Sequence, residues 1–205
     1  MLRLTHRELV TSLNFLKDRI LSGPPRCVSG LKGESYTLFT DACFEDDRIG
    51  LGGALFDSRG SLVRRYGESL VDLKHTGLNP DQKENVIFEA ELLAFVLGVC
   101  KLIPEDSVDV TSEVCGFIDN EGALAVLISR KSQSPVIGAI LNHLESWEHR
   151  TGVVMWFDRV ASASKTADAP SRGDFGGLDP AGRVVLTRKR VLEPLARLAG
   201  PVGLI

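Results

Sequence analysis

The sequence predicts an α/β domain on a mixed five-stranded sheet with flanking helices. Three strand-like runs follow one another closely after residue 35, two more come later between helical segments, and the element order is β-β-β-α-β-α-α-β-α. A chain of 205 residues, 43% hydrophobic and 25% charged, is long enough for one medium domain with a real core. It has no apolar run of bilayer length, so no membrane partner is expected.

The first segment, residues 4 to 21, spaces Leu4, Leu9, Leu13, Leu16 and Ile20 at steps of three to five, with Lys17, Asp18 and Arg19 outside that stripe, and reads as an amphipathic helix. Ser22-Gly23-Pro24-Pro25-Arg26 ends it. Residues 1–33 are taken as an N-terminal helical extension or linker, 34–178 as the main domain and 179–205 as a C-terminal helical extension. The runs YTLFTDA, IGLGGALFD and SLVRRYGESLV are separated by polar or Gly-containing turns and should form an antiparallel meander. Asp72 to Lys83 reads as a loop and Glu84 to Leu102, closed by Pro104, as the first long helix. A strand at Ser112 to Asp119, helices at Glu121 to Ser129 and Val136 to His149, and a fifth strand at Val153 to Phe157 follow. A helix is expected over Ala163 to Ser171, and a terminal one over LTRKRVLEPLARLAG, interrupted at Pro194. The apolar stripes of the two terminal helices are expected to pack on the core, with docking to a polymerase or a second copy as the other readings.

The N-terminus lacks the apolar core and small-residue cleavage site of a secretory signal. Cys27, Cys43, Cys100 and Cys115 form no CxxC pair, which argues for reduced thiols in an intracellular compartment rather than a zinc site. The net charge of −3 speaks against nucleic acid at first. If four acids gather round metal ions, however, the rest of the chain holds 24 basic and 23 acidic residues, and a weakly basic surface remains.

Four acids stand out. Asp41 ends or interrupts the first strand, Asp119 ends the fourth, and Asp168 opens the helix after the fifth. Glu91 lies inside a helix among Phe88, Ala90, Leu92, Leu93 and Phe95, where a carboxylate needs a partner or a cation. Singly, each has a structural reading: a turn residue for Asp41, helix N-caps for Asp119 and Asp168, a polar helix face for Glu91. As a set they are the oxygen-ligand inventory that Mg²⁺ or Mn²⁺ takes together with a substrate phosphate.

Thr40-Asp41-Ala42, Ala90-Glu91-Leu92-Leu93-Ala94, Ile118-Asp119-Asn120 and Ala167-Asp168-Ala169 resemble, in order, the four acid-bearing motifs of type 1 ribonucleases H, over about residues 35 to 175. Val160 to Arg172 resembles more closely the ribonuclease H domains that follow reverse transcriptases in retroelements. The resemblance implies a sheet of three antiparallel strands followed by two parallel ones. It also implies hydrolysis of the RNA strand of RNA–DNA hybrids by two Mg²⁺ (or Mn²⁺) ions. Asp41 would bridge both ions, with Glu91 and Asp119 on one side and Asp168 on the other, and a reverse transcriptase domain is an implied partner. The chain departs from the family in lacking a histidine shortly before the last acid; His6, His75, His143 and His149 all lie elsewhere, and Arg159 or Lys165 is the candidate substitute.

Glu89 competes with Glu91 but lies about 200° round the helix from it, so only one of the two faces a given metal. The motif context favours Glu91. Groups near Ala42, Cys43 and Asn120 are candidates for reading 2′-hydroxyls, and Arg64, Arg65, Lys131 and Arg172 for phosphate contacts. Two rival readings stay open: a nuclease of the same fold that acts on DNA, and a catalytically silent domain that binds nucleic acid or protein.

Overall fold

The structure is a computed structural model that describes residues 6–22, 33–45, 48–71, 78, 83–160, 166–175 and 182–195. It contains α1 (His6–Ser22), β1 (Ser35–Glu45), β2 (Arg48–Phe56), β3 (Leu62–Leu70), α2 (Lys83–Leu97), β4 (Glu113–Ile118), α3 (Glu121–Ser129), α4 (Pro135–Thr151), β5 (Val154–Arg159), α5 (Asp168–Ser171) and α6 (Arg188–Val191). The sheet runs β3-β2-β1-β4-β5. β1 pairs antiparallel with β2, and β2 with β3, while β1–β4 and β4–β5 are parallel. This is the mixed five-stranded sheet expected, with β1 at its centre. Among the described residues no helix is long and apolar enough to cross a membrane.

The core lies between one face of the sheet and α2. Leu38, Ile118 and Val114 from the strands meet Leu92, Phe95 and Val96 from the helix, all fully buried, and Trp147 of α4 completes the layer. Two glycines allow this close approach. A Cβ on Gly116 would lie 2.3 Å from the Phe95 ring, and one on Gly98 would lie 3.1 Å from Leu38 and Thr40. The first long helix is α-helical only to Leu97 and ends in a π-helical turn over Gly98–Leu102. Periodicity over a run this apolar does not distinguish the two windings.

Local signals set the following elements. Asn120 caps α3 by accepting from the Ala123 N–H (3.0 Å), and Arg130 closes it in the left-handed region (φ 56°). Ser134 caps α4, Pro135 occupies its first turn, and Gly152 (φ 71°) ends it.

Two expectations about the C-terminal third change. The helix expected over Ala163 to Ser171 is a single turn, Asp168–Ser171; residues 163–165 lie outside the described residues. The terminal helix expected from residue 186 does not begin there. Residues 183–187 run extended beside β3, where Val184 N–H donates to Arg65 O (2.8 Å) and Leu186 N–H to Glu68 Oε1 (2.7 Å). Among the described residues, Arg188–Val191 and a 3₁₀ turn at Glu193–Leu195 are helical there; residues 196–200 lie outside the described residues. Pairing with the open edge of β3 satisfies backbone groups that a helix would have satisfied internally. Packing on the core, expected of both terminal stripes, is seen at this end, where Leu186, Val191, Leu192 and Leu195 are buried. At the other end α1 leaves Leu13 and Ile20 55% and 80% exposed.

A candidate metal centre

Asp41 sits in the middle of β1, Glu91 in the middle of α2, and Asp119 one residue past the end of β4. The β1–β4 register pairs Phe39 with Phe117, which places the two aspartates side by side two residues further on. Glu91 reaches them from the helix that covers the other side of β1. One carboxylate oxygen from each of the three lies within 4.8 Å of the others. Asp41 and Glu91 are 2% and 3% exposed, and Asp119 is half-buried. Like charges this close, out of water, repel strongly unless a cation joins them. The set is all oxygen and anionic, which suits a hard divalent ion.

Asp168 is not in that group. It opens α5, and its Oδ1 accepts from Arg172 Nε at 3.3 Å, one helical turn on. Arg172 also pairs with Glu45, and the two carboxylates beside the guanidinium hold its proton more firmly than usual. The structure therefore brings three of the four expected acids together and holds the fourth on an arginine at the margin.

Ser171 links the two parts, and sequence reasoning missed it. Its buried Oγ lies 2.8 Å from Asp41 Oδ2 and 2.8 Å from the Asp168 carbonyl, so one hydroxyl proton serves two acceptors. The signal was available: a hydroxyl three residues after an acid in a first helical turn returns to the same side. Ser171→Ala should weaken divalent-ion affinity by ~10-fold or more, as removing a group that orients a ligand does. Calorimetric titration with Mn²⁺ checks this, and unchanged affinity would make Ser171 a packing residue only.

α5 reaches Asp41 because β2 and β3 present no side chains beneath it. A Cβ on Gly50 would lie 1.9 Å from Ser171 O, on Gly52 2.4 Å from Ser171 N, and on Gly67 2.3 Å from Pro170 O. Tyr66 closes the other side of the sheet. Its hydroxyl donates to Ala94 O (2.7 Å), and burial, then the charges of Glu91, Glu68 and Asp41, push its pKa well up, so it stays neutral.

Glu89 accepts a hydrogen bond from Ser134 Oγ (3.2 Å) at the start of α4 and is not part of the acidic group; Glu91 is. Burial pushes the Glu89 carboxyl above 4.5, against the hydrogen bond from Ser134, which lowers it. A raised acid pKa means that the folded state holds the proton more tightly, so stability falls as pH rises from the unfolded value through the folded one. Glu89→Gln should remove that decline, leave stability at pH 7 no lower than wild type, and leave any metal-dependent activity intact. Thermal unfolding across pH 4–8 checks it, and a steeper fall in the variant would contradict the assignment.

The expected substrate contacts fare unevenly. Arg65 is buried, with its guanidinium 5.6 Å from the Phe175 ring, which excludes it as a phosphate contact. Cys43 faces α5, its thiol 3.4 Å from Ser171 O, and Asn120 uses its Oδ1 as a helix cap, so neither presents those atoms outward. Lys131 is exposed and Arg64 half-buried. Arg159 pairs with Glu121 at 2.5 Å. Lys165 lies outside the described residues.

No protein-family model and no curated protein matches the chain. Solved structures do. The N-terminal RNase H domain of a Mycobacterium tuberculosis protein, solved as a fusion with maltose-binding protein, aligns with a TM-score of 0.50 at 12% identity, over 69% of this chain and 93% of that one. LC11-RNase H1, solved in complex with an RNA/DNA hybrid, aligns with a TM-score of 0.51 at 14% identity, over 68% of this chain and 95% of that one. The chain has a ribonuclease H-like fold. In that ribonuclease H-like frame, the acidic group lies on the central strand, the helix across it and the end of the neighbouring parallel strand.

Proposed function

We propose that this chain is a metal-dependent endonuclease that hydrolyses the RNA strand of RNA–DNA hybrids, with two divalent ions held by Asp41, Glu91, Asp119 and Asp168. The convergence of Asp41, Glu91 and Asp119 carboxylates from three separate elements within 4.8 Å is the observation that supports it most. A single helix cap or turn residue has no need of such company.

Asp41, with Glu91 and Asp119, would form one ion site, and Asp168 would complete the second with Asp41. When bound, the ions would lower the pKa of the attacking water and offset charge on the phosphate. The protein's own part is positional: Ser171 holds the Asp41 carboxylate, and Arg172 holds Asp168 until an ion competes for it. The motif from Val160 to Arg172 supports an origin beside a reverse transcriptase, which would then be the natural partner.

The ion pair between Asp168 and Arg172 favours one other reading, a domain that binds hybrid without cutting it. Incubation of the purified chain with labelled RNA–DNA hybrid, single-stranded RNA and duplex DNA, each with Mg²⁺, Mn²⁺ or chelator, separates these. Metal-dependent cutting of the hybrid's RNA strand alone is expected. Cutting of duplex DNA would move the chain to a DNA nuclease, and tight hybrid binding with no cutting under either ion would favour the silent reading.

A further inference from the structure

The sheet has two faces, and among the described residues one is more fully covered than the other. Parallel strands, here β1, β4 and β5, occur in folds that cover both faces, because both carry apolar side chains. α2 covers one. On the other, α5 covers the end around Asp41, Gly52 and Gly67. Among the described residues, the rest of that face is a mainly apolar patch, with Thr37 and Cys115 inside it and the hydrogen-bonded pair Ser35–Glu113 and exposed Asp158 at its margins. Phe39 stacks on Phe117 at 5.0 Å and meets Phe56 edge-on at 5.8 Å, all three only half-buried. Beside them on β5 lie half-buried Val154 and Trp156, which is 57% exposed.

α1 offers a matching surface. Leu9, Leu13, Leu16 and Ile20 fall within an arc of about 60° at 3.6 residues per turn and extend over about 16 Å. All four are exposed. The less covered face spans four strands, β5-β4-β1-β2, or about 14 Å at the usual strand spacing. The tether also fits. α1 ends at Ser22 and β1 begins at Ser35, at one end of that face, and the twelve residues 23–34 reach at most about 43 Å.

We infer that α1 docks through Leu9, Leu13, Leu16 and Ile20 onto the less covered sheet face around Phe39, Phe117 and Trp156 of its own chain, forming the second covering layer of the sheet. Intramolecular attachment through so short a tether gives an effective concentration of ~1 mM or more, which favours this occupant over a second copy in dilute solution. Docking also braces β1 and β4 two residues before Asp41 and Asp119.

The chain has two tryptophans, and Trp147 is fully buried, so Trp156 reports on this face. Acrylamide quenching of the full chain, with Trp156→Phe identifying the Trp156 signal, tests the inference. The double variant Leu13→Glu/Leu16→Glu alters residues that are exposed, so the core is untouched; Asn14→Glu, off the stripe, is the control. The expected result is a Trp156 quenching constant about twofold or more higher in the double variant than in wild type or control, independent of protein concentration. Equal quenching in all three proteins would overturn the inference. So would shielding that grows with concentration, which would make a second copy the occupant. None of these readouts depends on nuclease activity.

Discussion

Asp41→Asn is expected to abolish metal-dependent cleavage and, at the same time, to raise the stability of the metal-free protein. The two effects have one cause. Asp41 is buried, and its carboxylate lies within 4.8 Å of those of Glu91 and Asp119. At that separation and an effective dielectric near 20, the repulsion relieved is on the order of 3 kcal/mol for each of the two neighbours that is ionised. The asparagine keeps an acceptor for Ser171 Oγ, so the hydrogen bond survives. Cleavage should fall by at least ~100-fold, since even groups that only orient a ligand cost ~10–100-fold when lost. Thermal unfolding provides a readout free of substrate. Saturating Mg²⁺ at ~100 times its Kd should stabilise wild type by ~2.7 kcal/mol and the variant by much less. Equal Mg²⁺-dependent shifts in Tm for the two proteins would place the ions elsewhere.

The second large effect is expected from Gly52→Ala. Its Cβ would sit 2.4 Å from Ser171 N and 2.7 Å from Ala167 O, both backbone atoms that cannot rotate aside. α5 must lift from the sheet, which takes Ser171 away from Asp41 and Asp168 away from the acidic group. A loss of about 3 kcal/mol is expected from overpacking, or roughly 6–12 °C in Tm for a chain of this size. Metal affinity should fall with it. Gly138→Ala in α4 is the control: its Cβ would meet nothing within 4 Å, and the gain in helix propensity should leave stability equal or up to ~1 kcal/mol higher. Two variants of similar stability would mean that α5 does not rest on the glycine row.

Much of this architecture was legible in the chain because it is encoded locally. The three β-runs with short turns at Asp57 to Gly60 specify a meander, and the Asn120 and Ser134 caps start α3 and α4 where expected. Asp119 lies at the end of β4 as expected, while Asp41, expected where the first strand ends or is interrupted, lies inside a β1 that runs on to Glu45 because β2 pairs with it that far. Helix geometry showed that only one of Glu89 and Glu91 could face a given metal, and the motif context chose Glu91.

What resisted local reading depends on partners distant in sequence. Leu186 and Thr187, expected to open a helix, instead continue an extended run from Arg183, because Arg65 O and the Glu68 carboxylate of β3, more than a hundred residues earlier, accept from Val184 and Leu186 N–H. Arg65 looks like a surface cation on a strand and is buried because Phe175 lies over it. The position of Asp168 depends on three glycines in β2 and β3, a serine and an arginine, none of which pairs with it by sequence periodicity alone. The sequence by itself determined the five strands, the helices between them up to β5, their order and which acids had to be accounted for, since these follow from residue type and short-range spacing. Only the tertiary structure decided which acids meet and which is held apart, because that turns on close backbone packing and on charges brought together from opposite ends of the chain.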